Sequence, residues 1–138
     1  MAHFPAERDI VRKQITNRLG RLSSKFYRLA RPIVGWETVC TGGAKDIEPV
    51  PASGWEAFNP PAEWGGPDLT NWFRTIVTLP EEMSDGKVYA ILPVGGEALC
   101  RVNGRVHQGL DQNRWPMLLC ENAVAGEKYE LVLEVWSQ

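Results

Sequence analysis

The side chains able to do chemistry are few and far apart. His3 and His107 are the only histidines, and no His, Asp or Cys group stands at metal-ligand spacing. No Gly-x-Ser-x-Gly occurs and no Cys–His pair can be picked from the sequence, so nucleophilic hydrolysis has no support. Gly95-Gly96 lacks the third Gly, the Lys-Ser/Thr and the opening helix that cradle a phosphate. The 17 acidic residues could supply a carboxylate pair for glycosidic chemistry, yet nothing selects one. Glu97 and Asp111 stand out only by flanking a hairpin in apolar or Gly-containing loops, where turn capping by side-chain oxygens is the favoured role. The chain thus reads with no catalytic residue and no metal ligand.

Aromatic residues are the more suggestive group, because their faces stack on the apolar faces of sugar rings as readily as they fill cores. The six Trp are at 36, 55, 64, 72, 115 and 136. Trp36, Trp72 and Trp136 fall in expected strands and read as core. Trp64, in Glu63-Trp64-Gly65, and Trp115, in Arg114-Trp115-Pro116, fall in loops. Both are candidates for sugar contact, with anchoring of the loop onto a sandwich favoured for each.

The elements that must position these residues are mostly strands. Short apolar or alternating runs at 34–40, 72–79, 87–94, 98–102, 105–108, 117–120 and 128–136 are separated by Gly, Pro, Asn and Asp, the pattern of an antiparallel β domain. The run at 72–79 alternates poorly and predicts a bulge or burial on both faces. Asn103-Gly104 between two such runs predicts a two-residue type I′ hairpin, which needs positive φ at both positions. Seven short strands favour a sandwich or jelly roll over a parallel sheet. The segment from Glu48 to Gly54, followed by Asn59-Pro60-Pro61, reads as a long, stiff surface connection.

Residues 1–31 read differently, as an N-terminal α-helix. Ile15, Leu19, Leu22, Phe26 and Leu29 make a stripe at helical spacing, and Pro32 forbids continuation. Its opposite face carries Arg8, Arg12, Lys13, Arg18, Arg21, Lys25 and Arg28, taken as a solvated face with long aliphatic stems. The sandwich is expected over 32–138.

A chain of 138 residues with 43% hydrophobic and 23% charged residues is long enough for one packed domain. A formal net charge of -2 gives no general field for nucleic acid or an anionic membrane. No apolar run follows a basic start, and no stretch is long enough to span a bilayer. Cys40, Cys100 and Cys120 are odd in number without Cys-x-x-Cys spacing, so small core thiols in a reducing compartment, the cytoplasm, are expected.

Taken in order, a basic helix, Gly35-Trp36, Trp55, Trp64-Gly65-Gly66-Pro67-Asp68, Asn71-Trp72-Phe73-Arg74 and Leu79-Pro80-Glu81 form a series over the first half. Gly95-Gly96-Glu97-Ala98-Leu99, Val102-Asn103-Gly104-Arg105-Val106 and Gln108-Gly109-Leu110-Asp111-Gln112-Asn113 continue it. The series resembles the region preceding the catalytic domain in glycoside hydrolase family 38 α-mannosidases of the cytosolic type. That resemblance implies a mainly β fold, an antiparallel sandwich of jelly-roll or galactose-binding-like type. It also implies a catalytic domain elsewhere that binds zinc and uses an Asp nucleophile in a retaining mechanism, with no cofactor held in this chain. Where the Gly-Leu-Asp loop of this family commonly ends in His, this chain has Arg114 after Asn113.

The expected function is therefore a non-catalytic accessory domain within a longer enzyme. Asp111, Asn113 and Arg114 would form the tip that packs on the catalytic domain as partner. The alternative is a carbohydrate-binding module for mannose-containing glycans, resting on Trp64 and Trp115. Nucleic acid and membrane are not expected partners.

Overall fold

The computed structural model describes residues 29–43 and 49–137. Along them run β1 (Trp36–Gly42), β2 (Glu56–Phe58), β3 (Leu69–Thr78), β4 (Val88–Ile91), β5 (Glu97–Val102), β6 (Arg105–Leu110), β7 (Pro116–Cys120) and β8 (Lys128–Ser137), with a 3-10 turn at Glu81–Met83. The helix expected over residues 1–31 lies outside the described residues, apart from Leu29, Ala30 and Arg31, which carry no regular structure.

Alternation in β8 explains the architecture. Tyr129, Leu131, Leu133 and Val135 are all buried on one face, while Glu130, Glu134 and Trp136 point the other way. Ten antiparallel pairs hold β8 to β3, from Leu69↔Ser137 to Thr78↔Lys128. Around this spine the larger sheet has the order β2-β1-β3-β8-β5-β6, and β4 pairs with β7 in a second, two-stranded sheet. Every pairing is antiparallel. Phe73, Ala98, Cys100, Leu131, Leu133 and Val135 of the larger sheet share one core cluster with Ala90 and Met117 of the smaller, which makes a two-layer sandwich. Burying a Leu or Val side chain in such a core contributes about 1.5–3 kcal/mol.

Of the two expectations for the run at 72–79, burial on both faces holds, since Trp72, Phe73 and Thr75 are all buried and no bulge interrupts β3 against β8. Two expectations are corrected. The supposed surface connection contains β2, held by Trp36↔Phe58, Glu37↔Ala57 and Thr38↔Glu56. Trp136 is not core. It lies on the outward face of β8 and keeps 36% of its surface exposed. Gly96 is needed beside it, because a Cβ there would run into the carbonyl oxygen of Trp136.

Candidate functional site

The hairpin at Asn103-Gly104 has φ of 50° and 79°, as its turn type requires. An uninterrupted two-residue hairpin would continue Val102↔Arg105 and Arg101↔Val106 with Cys100 against His107. The structure instead pairs Cys100 with Gln108, Leu99 with Gly109 and Ala98 with Leu110. His107 is thus the extra residue of a β-bulge, and a shift of one residue exchanges the faces of everything beyond it. Gly109 and the continuing Asp111 therefore turn to the outward face, the face of Glu97 and Leu99. Glu97 is itself paired with Trp136. The bulge sets Trp136, Glu97 and Asp111 in one row across the outer surface.

The turn after β6 holds Asp111 in place. Its backbone exchanges hydrogen bonds with Arg114, both at 3.1 Å. Asp111 Oδ1 accepts from the amides of Asn113 at 2.7 Å and Arg114 at 2.9 Å. Oδ2 faces Arg114 Nε at 3.6 Å. With both amides on one oxygen, the carboxylate is fixed before any ligand arrives. His107 Nε2 lies 2.8 Å from the carbonyl oxygen of Leu118, and Gln108 Nε2 donates to that of Pro116 at 3.2 Å. These two side chains fasten the edge strand β6 to β7 in the other sheet.

An open cleft of about 400 Å3 lies here, lined by Glu97, Ala98, Gln108, Gly109, Leu110, Asp111 and Arg114. Of the residues singled out in the sequence, it brings together Glu97, Asp111 and Arg114. Asn113 caps the turn through its amide and its side chain is exposed. The two loop Trp residues are elsewhere. Trp64 meets the Phe73 ring edge-on at 4.9 Å, half-buried against the core. Trp115 is half-buried, and its carbonyl accepts from the Leu92 amide at 3.1 Å. Gln108 and Gly109 were not singled out as site residues, and only the bulged register places them at the cleft, while Trp136 stands beside Glu97 through the β5–β8 pairing.

Among the described residues no three His, Cys, Asp or Glu side chains gather as a metal site. The three cysteines are free. Burial pushes the Cys100 thiol up to about 12, partly offset by the Arg101 guanidinium, so it stays protonated and unreactive near neutrality.

Two antiparallel sheets facing one core, with a polar cleft at the end of an edge hairpin, make this a β-sandwich domain. The chain belongs to the family of α-mannosidase jelly-roll domains, whose family model, described as "Alpha-mannosidase, jelly roll domain", matches residues 40–137. No curated protein and no solved structure matches the chain.

Proposed function

We propose that this chain is the non-catalytic accessory sandwich of an α-mannosidase and supports a catalytic domain supplied by the rest of that enzyme. The family match over residues 40–137 carries the reading. The turn bearing Asp111, Asn113 and Arg114 is the surface offered to the catalytic domain, since its backbone is already locked and its Arg114 side chain is 79% exposed. Zinc and the Asp nucleophile belong to the partner domain. Free thiols at Cys40, Cys100 and Cys120 favour a cytoplasmic setting.

Two measurements test this. The chain alone, assayed on an aryl α-mannoside with zinc, gives no turnover above background. The enzyme's catalytic domain, prepared with and without the sandwich, has the lower thermal midpoint without it. Turnover by the chain, or identical midpoint and activity in the two forms, overturns the proposal.

A further inference from the structure

The row Trp136, Glu97, Asp111 lies on a surface that the core does not use. Adjacent strands stand about 4.7–4.9 Å apart, so Trp136 and Asp111 flank a strip about two strand spacings wide with Glu97 between them. In the next row Leu99 stands against Gly109, and the missing side chain at 109 leaves the cleft open. A Cβ at Gly109 would meet only the Ala98 carbonyl oxygen, at 3.9 Å. A larger side chain at position 109, which lines the cleft, would project into that open space.

The chemistry of this strip is specific. An indole face takes the apolar face of a ring. Two carboxylates and a guanidinium offer several acceptors and donors to neighbouring hydroxyls. Glu97 has no ion-pair partner among the described residues, whereas Asp111 is paired with Arg114. Two carboxylates against one guanidinium leave the cleft negative, which disfavours an anionic ring. We infer that Glu97, Asp111 and Arg114, around the gap at Gly109, together with Trp136 beside Glu97 on the next strand, form a binding site for a neutral pyranoside. The ring stacks on Trp136, Glu97 and Asp111 accept from its hydroxyls, and Arg114 donates to them. No bond is made or broken. The site shares Asp111 and Arg114 with the turn proposed to meet the catalytic domain, so the titration uses this chain alone, where the Arg114 side chain is 79% exposed.

Titration with methyl α-mannopyranoside, methyl β-galactopyranoside and glucuronate, read by amide shifts and Trp fluorescence, tests it. Millimolar binding of at least one neutral glycoside is expected, with shifts concentrated at Glu97, Gly109, Asp111, Arg114 and the Trp136 indole, and none with glucuronate. Trp136→Ala and Gly109→Leu each weaken binding by about tenfold or more, the loss expected when a stacking contact worth about 1.5 kcal/mol is removed. Glu97→Gln, at an exposed position, gives the same loss should either larger change disturb the sheet. No response to either neutral glycoside, equal binding of glucuronate, or binding that survives these substitutions overturns the inference.

Discussion

Two threonines on β3 show how much hydrogen bonding decides at a single residue. Thr70 and Thr75 are each 5% exposed. Thr75 Oγ1 donates to the Val34 carbonyl at 2.7 Å, while Thr70 Oγ1 is buried without a partner, as are Thr41 Oγ1, Asn71 Oδ1 and Trp72 Nε1. An orphaned buried group costs about 1–3 kcal/mol, and replacing it with an apolar group of the same shape removes that cost. Thr70→Val is therefore expected to leave stability unchanged or raise it by about 1 kcal/mol. Thr75→Val strands the Val34 carbonyl and should cost about 1–2 kcal/mol. Urea unfolding of the two variants checks the pair, and equal losses would show that hydroxyl pairing is not what separates them.

Among the elements, the β5–β6 hairpin carries the most consequence. Its turn is clamped onto β8, since the Asn103 amide donates to the Glu130 carbonyl and Asn103 Oδ1 accepts from the Glu130 amide, both at 2.9 Å. A Cβ at Gly104 would meet nothing within 4 Å, so Gly104→Ala costs only backbone strain, about 1 kcal/mol. Asn103→Ala adds a lost hydrogen bond to a residue at positive φ and should cost about 2 kcal/mol. Thermal midpoints falling in the order wild type, Gly104→Ala, Asn103→Ala are expected, and the reverse order would mean that the clamp contributes nothing. This hairpin was legible in the sequence because Asn-Gly turn chemistry is local. The bulge at His107 was not, because it answers to β7, whose Leu118 carbonyl receives the ring. One unread residue thus hid the face of Asp111, and with it the site. β2 was missed for a similar reason, as three residues become a strand only when β1 is alongside. Trp136 was misplaced because strand membership says nothing about which layer covers a face.

At the scale of the molecule, the core couples folding to alkaline pH. Cys100 is fully buried, and burial, partly offset by Arg101, holds its thiol at about 12 against an ordinary 9.0. Burial also pushes the Tyr129 phenol up, with Cys120 and Glu127 adding to the effect. A raised value for an acid that is neutral when protonated means that the folded chain keeps its proton where the unfolded chain has lost it. Stability is then unaffected below about pH 9.0 and falls as pH rises toward about 12. Each such proton tilts the dependence by about 1.4 kcal/mol per pH unit within that window. Urea midpoints should hold level from neutrality to pH 9.0 and then decline. Cys100→Ala starts lower because it leaves a cavity, but its decline should be shallower, since only Tyr129 then couples. Parallel declines in the two proteins would show that the Cys100 thiol does not govern the alkaline limb.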